Sequence, residues 1–189
     1  MITTNLLHHA ASLCAALLLV ATHAACSNTT TQQTTETMAN TKILFINGSP
    51  NKDGNTAGLA KILLEGKTYE SLYLTDYRIN FYGQEAEGDR LEEIIARMKE
   101  ADIVVIGAPV YWHNICASVR TVMERFYGYV GENTFRGKKL FFLYQGAAPT
   151  QMMIDDGEYS MSRFARMYGF TYEGMATDRA EARGLRSKL

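Results

Sequence analysis

Three nearly unbroken apolar runs punctuate the chain: Ile43 to Ile46, Ile103 to Ile106 and Leu140 to Tyr144. Short runs rich in branched and aromatic side chains, without polar alternation, predict strands buried on both faces. Tyr69 to Leu74, where polar and apolar residues alternate, and Phe170 to Met175 predict two shorter strands. Between these stretches the apolar positions recur at helical spacing. Leu59, Ile62 and Leu63 line a helix that begins after Thr56 and ends at Gly66, and Leu91, Ile94, Ile95 and Met98 line a second. Asp89 is placed to cap that second helix, with Glu92 reaching back to complete a capping box. Ile115, Val119, Val122, Met123 and Phe126 mark a third helix, residues 158 to 168 a fourth that stops at Gly169, and Arg179 to Lys188 a short basic one. Residues 75 to 88, with Asp76, Asn80, Gly83 and Gly88, read as a long irregular connection.

Strands alternating with helices predict an α/β domain over residues 42–189, with no repeat and no second folded domain. Once crossovers are right-handed, five strands fit a doubly wound, five-stranded parallel sheet in the order 2-1-3-4-5. Such sheets bind ligands outside the carboxyl ends of the strands where the winding reverses, here beside the first and third strands. Two distinctive loops leave those ends, the one that follows Gly48 and the other from Pro109 to Asn114.

The first loop joins a strand to a helix through Asn47-Gly48-Ser49-Pro50-Asn51-Lys52-Asp53-Gly54-Asn55-Thr56. Backbone N–H groups and the hydroxyls of Ser49 and Thr56, next to the positive end of a helix dipole, suit an anion of phosphate size. Gly48 is followed by five residues and then Gly54-Asn55-Thr56, without the Lys of a Walker loop, so ATP or GTP hydrolysis is disfavoured. The loop is not Gly-x-Gly-x-x-Gly either. The loop reads as a phosphate cradle, with an ordinary strand-to-helix turn as the lesser alternative.

Charge changes the picture by exclusion. The first 37 residues hold no Lys or Arg and one acid, Glu36, so the rest carries all 19 basic side chains and all but one of the 20 acidic ones. That balance gives no electrostatic basis for binding nucleic acid. The three cysteines, Cys14, Cys26 and Cys116, match no metal spacing or disulfide framework. Upstream of the domain, residues 1–41 read as a signal segment and tether. The apolar run 10–25 is short for a bilayer span and ends in small residues before Cys26. Ala24-Ala25-Cys26-Ser27-Asn28 resembles a bacterial lipoprotein cleavage site, which implies a lipid anchor on Cys26 and a polar tether from Thr29 to Thr37, at the cell envelope. Alternatively Met38 is the start, and the protein is cytoplasmic.

Taken together, Gly48-Ser49-Pro50 with Gly54-Asn55-Thr56, Ala108-Pro109-Val110-Tyr111-Trp112 and Gln145-Gly146 resemble the flavodoxin-like NAD(P)H-dependent FMN reductases and quinone reductases, over roughly residues 42–176. The resemblance implies FMN as cofactor, NADPH or NADH as co-substrate, and a quinone, nitro or azo compound, or free flavin as electron acceptor. It implies that Ser49, Asn51, Asn55 and Thr56 hold the FMN phosphate. Pro109, Val110, Tyr111 and Trp112 would border the isoalloxazine ring, and Gln145 and Gly146 would close its pyrimidine side. A homodimer is implied as well. The family loop often carries Arg where this chain has Asn51-Lys52, and Ala108 replaces a common Ser or Thr. No catalytic side chain is required, because flavin carries out the redox chemistry itself.

Competing readings bear on single residues. Cys116, at the start of the third helix, reads as a small buried hydrophobe; His113 is as readily a surface histidine as a flavin donor. Arg120 and Arg125 fit solvated helix faces as well as a NADPH phosphate, and Lys52 reads as exposed. An FMN electron carrier without NAD(P)H turnover is the rival function on this fold, but the shorter loop and acidic surface of such carriers are not found here.

Overall fold

The computed structural model describes residues 41–189. The run 10–25, Cys26, the tether 29–37 and the alternative start Met38 lie outside the described residues.

Five strands, β1 (Ile43–Asn47), β2 (Glu70–Tyr73), β3 (Ile103–Tyr111), β5 (Lys139–Gln145) and β6 (Thr171–Ala176), form a parallel sheet in the order β2-β1-β3-β5-β6. This is the predicted 2-1-3-4-5 order. A sixth strand absent from the sequence reading, the two-residue β4 (Asn114–Ile115), pairs antiparallel with the end of β3. The helices are α1 (Asn55–Leu63), α2 (Leu91–Glu100), α3 (Ala117–Arg125), α4 (Gln151–Tyr168) and α5 (Arg179–Gly184).

Side chains alternate across each strand, so the apolar runs fill two cores at once. Leu44, Ile46, Val104, Ile106, Leu140 and Phe142 pack against α2, α3 and α4, and Ile43, Phe45, Ile103, Val105, Phe141 and Leu143 against α1 and α5. The same alternation puts Asn47, Gly107 and Gln145 at the carboxyl ends on the α1 side, because Asn47 is in register with Gly107 and Pro109 with Gln145.

Several boundaries differ from the sequence reading. β3 does not stop at Gly107 but runs on to Tyr111. Its neighbour β1 has ended by then, so Pro109, which has no N–H to offer, costs no bond to β1, while its carbonyl accepts from Cys116 N at 3.2 Å. Ile115 belongs to β4, not to α3. The helix expected over residues 158–168 begins at Gln151, capped by Thr150, whose Oγ1 accepts from Met153 N. The capping box before α2 does not form. Asp89 Oδ1 instead accepts from Leu91 N and Asn80 N, while the partner of Arg90 is Glu93. Gly169, at φ 85°, ends α4 where predicted, in the left-handed conformation that costs glycine least.

Candidate functional site

The two loops singled out by sequence meet. Gly48 N donates to Gly107 O at 2.8 Å, and Gln145 Nε2 donates to Thr56 Oγ1 at 3.4 Å. A β-carbon on Gly146 would stand 3.0 Å from Val110 Cβ, so the end of β5 lies directly against the end of β3. α3 closes the underside, with Ser118 Oγ donating to Gly48 O at 2.8 Å. Two glycines permit this crowding. A β-carbon on Gly107 would sit 2.6 Å from the Thr56 methyl, and one on Gly48 would sit 2.5 Å from Val119 Cγ2. Neither position has room for a side chain.

Within the first loop the polar side chains fasten alternate backbone groups. Asn47 Oδ1 accepts from Ser49 N, Ser49 Oγ from Asn51 N, and Asn51 Oδ1 from Asp53 N, at 2.9, 3.1 and 3.2 Å. Gly54 N is also engaged, by Asn51 O at 3.2 Å. The expectation that the loop's backbone N–H groups converge on an anion is therefore corrected for residues 49, 51, 53 and 54, whose donors the loop itself uses. The open donors lie further on. Gly54 is the N-cap of α1 and no side chain caps it, in contrast to Thr150 on α4 and Asp178 on α5. The first-turn N–H groups of Asn55, Thr56 and Ala57 thus have no partner within the helix.

Both hydroxyls have a proton available to assist them. Thr56, fully buried, and Ser49, 5% exposed, each accept a hydrogen bond, from Gln145 and from Asn51 N respectively. A hydroxyl has one proton to give. With the oxygen already engaged as acceptor, that proton is free to be donated to an anion. Asn47 adds a third feature, which sequence reasoning missed. It is wholly buried, its Oδ1 is held by Ser49 N, and its Nδ2 has no partner. A buried donor without a partner costs about 1–3 kcal/mol, a cost that a bound acceptor would remove. No sequence signal marks Asn47, which reads as ordinary turn chemistry before a glycine.

Asn51 and Asn55 are exposed at the rim. Lys52 points elsewhere, with Nζ 2.6 Å from Asp76 Oδ2 and over the Tyr73 ring at 4.8 Å. A cavity of about 290 Å³ opens beside the uncapped end of α1, its lining including Gly54, Asn55, Gln145, Arg179 and the carboxylates Asp53 and Asp178. Arg179 supplies its cation, and no motif links a residue of the last helix to this loop. A larger cavity, about 480 Å³, lies at the amino ends of the strands between Lys42, Glu70 and Arg97. It is remote from both loops and carries none of their free donors.

The second loop is a hairpin. Trp112 and His113, at φ 50° and 66°, form its two-residue turn between β3 and β4, both in the left-handed region that side chains rarely adopt. Pro109 is buried and Val110 half-buried, whereas Tyr111 is 51% and Trp112 93% exposed. The structure therefore brings Ser49, Thr56, Pro109, Val110, Gln145 and Gly146 together. Trp112 stands clear of the phosphate loop, edge-on to His113 at 5.8 Å.

Of the alternative chemical candidates, Cys116 is buried at the N-cap of α3, and burial pushes its thiol up, away from the thiolate. Arg120 pairs with Glu124, and Arg125 with Asp89 Oδ2 and Asn80 O at 2.6 and 2.8 Å. These are structural partners.

The donor set, an uncapped helix end and two hydroxyls with free protons, fits a phosphate monoester. The small and apolar residues at the ends of β3 and β5 fit a flat ring. Comparison with known proteins agrees with this chemistry. Residues 41–158 match the family model described as NADPH-dependent FMN reductase. An iron-sulfur flavoprotein of Archaeoglobus fulgidus is 34% identical over 97 residues, 44% of this chain and 48% of that protein. A Bacillus subtilis protein, assigned provisionally to the NAD(P)H-dependent FMN-containing oxidoreductases, is 29% identical over 92 residues, 44% of this chain and 51% of that one. The chain spans about half the length of the curated relatives it matches. Among solved structures, the Trp repressor binding protein from Bacillus subtilis aligns over 76% of this chain and 99% of its own, with a TM-score of 0.61 at 17% identity. An FMN-dependent NADH-azoreductase of Bacillus anthracis in complex with FMN aligns over 78% of this chain and 94% of its own, with a TM-score of 0.56 at 16% identity. These two likenesses show the flavodoxin-like fold.

Proposed function

We propose, from the premise that this chain belongs to the NADPH-dependent FMN reductase family, that it takes hydride from NADPH or NADH and passes electrons to a quinone, a nitro or azo compound, or free flavin. When bound, FMN supplies the hydride and electron chemistry itself. The chain's residues hold the cofactor and shape its surroundings. Ser49 and Thr56 would donate their free hydroxyl protons to the phosphate, joined by the open N–H groups at the start of α1 and the amides of Asn51 and Asn55. Pro109, Val110, Tyr111 and Trp112 would border the ring, with Gln145 and Gly146 at its pyrimidine side. The two buried hydroxyls, each held by an incoming hydrogen bond, support this reading above every other feature of the site.

The relatives' iron-sulfur name does not carry over to these residues. Such clusters are most often held by four thiolates, and among the described residues Cys116 is the one cysteine. Pairing of two copies belongs to the same reading. So does attachment to the bacterial cell envelope through a lipidated Cys26, and the mass of the natural protein distinguishes that from an unmodified start at Met38.

The full chain, purified and examined by visible spectroscopy, should show bound yellow flavin that bleaches with NADPH under anaerobic conditions and recovers on adding a quinone. Flavin that stays oxidised with both NADPH and NADH would establish the carrier reading instead. A colourless protein that takes up no FMN would overturn both.

A further inference from the structure

Helix α4 leaves one face uncovered. Gly157, Met161, Phe164, Ala165 and Tyr168 are buried against the core. Met152, Asp155, Asp156, Tyr159, Arg163 and Met167 are exposed, and their spacing of three and four residues puts them on one stripe. Two of them are large and strongly exposed, Met152 at 69% and Tyr159 at 68%. Isolated exposed hydrophobics need no explanation, but a continuous stripe of them interleaved with charge does.

The charges on the stripe have no ion-pair partner among the described residues. Asp156, Arg163 and the adjacent Arg166 enter no salt bridge there, whereas Arg120 and Arg125 of α3 are both paired. Along α4 the order is apolar, acidic, aromatic, basic, apolar, and read backwards it is its own complement. About a midpoint between Tyr159 and Ser160, Met152 mirrors Met167 and Asp156 mirrors Arg163. A helix with this pattern matches a reversed copy of itself, which is the condition for an isologous interface. Next to the stripe, a groove of about 240 Å³ between α3 and α4 is lined by Met123, Tyr127, Ser160, Arg163, Phe164 and Met167. Ser160 would face the partner's Tyr159, so the groove offers that ring a seat.

We propose that two copies of this chain pair through α4, antiparallel, about a two-fold axis between Tyr159 and Ser160. Asp156 then faces the partner's Arg163, Met152 faces the partner's Met167, and the Tyr159 ring of each copy enters the α3–α4 groove of the other. This assigns a face and a register, and it is independent of whether flavin binds. Only the loop 146–150 separates α4 from Gln145 at the end of β5, so the edge of the interface falls next to the mouth of the candidate site.

Charge exchange in the full chain tests the register. Asp156→Arg alone and Arg163→Asp alone each set like charges opposite one another twice, and each should raise the dissociation constant measured by sedimentation at least about tenfold. The double variant should restore association, and circular dichroism should show all three folded, since both positions are exposed. Tyr159→Cys should also give a disulfide-linked pair on oxidation. Single variants that associate as tightly as the natural chain, a double variant no better than the singles, or a natural chain monomeric at every concentration would each overturn the proposal.

Discussion

Replacing Thr56 by valine isolates the proposed phosphate contact from the packing around it. Valine has the shape of threonine, so the methyl seated against Gly107 is kept and only the buried hydroxyl is lost. Two interactions go with it. One is the 3.4 Å bond from Gln145 Nε2, whose side chain is half-buried and can turn to water. The other is the hydroxyl proton that the proposed reading assigns to the phosphate. A hydrogen bond to a charged group contributes about 1.5–3 kcal/mol, so FMN affinity should fall roughly 10- to 150-fold. Riboflavin, which has the same ring without the phosphate, should bind as before. Flavin-stripped protein titrated with FMN and with riboflavin, followed by quenching of flavin fluorescence, reads both constants. An equal loss for the two ligands would mean that Thr56 serves the ring or the fold, and no loss for either would remove it from the site.

Asn47 gives a sharper variant of the same comparison: Asn47→Ala should loosen the loop, while Asn47→Asp keeps the acceptor for Ser49 N but places an anion where Nδ2 stood. The aspartate should weaken FMN more than riboflavin, and a uniform effect on both in titrations would disprove a role near the phosphate. Tyr144 is fully buried with an unpartnered hydroxyl, and burial pushes its pKa up to about 12. Tyr144→Phe, which removes that orphaned group, should raise stability by about 1 kcal/mol in urea unfolding, against the loss expected if the hydroxyl were satisfied. Burial acts to raise the pKa of Asp89, but the hydrogen bond from Arg125 and the N–H groups of Asn80 and Leu91 outweigh it and hold the carboxyl below its usual value of 3.8. A depressed carboxylate stabilises the fold above its unfolded pKa and loses that stabilisation as pH falls through the folded one. The stability advantage over Asp89→Asn should therefore be full near neutrality and shrink below about pH 4, and a pH-independent difference in urea midpoints would contradict the assignment.

Much of this architecture was legible because its strands are buried on both faces. Ile43 to Ile46, Ile103 to Ile106 and Leu140 to Tyr144 have no polar face to disguise them, and right-handed crossovers then leave few orders for the sheet. The convergence of the loops followed from that order alone. What escaped was set by contacts remote in sequence. The helix expected from residue 158 begins at Gln151, and Gly157 lies inside it, where a β-carbon would come 2.3 Å from the Tyr144 ring. The β3–β4 hairpin was hidden because its turn is Trp112-His113 rather than the Asn-Gly or Asp-Gly that usually signals one. The loop's internal hydrogen bonds were invisible for a related reason. Ser and Asn at alternate positions look like ligand donors, and only coordinates show that Asn47, Ser49 and Asn51 first secure the backbone.

The left-handed hairpin tip has one consequence of practical weight. Trp112 is the sole tryptophan among the 189 residues, and it is held almost entirely in water at the rim of the crevice. Excited at the red edge of protein absorption, the molecule therefore emits from a single, known point, so any arrival that covers the indole registers without a label and without a background from the rest of the chain.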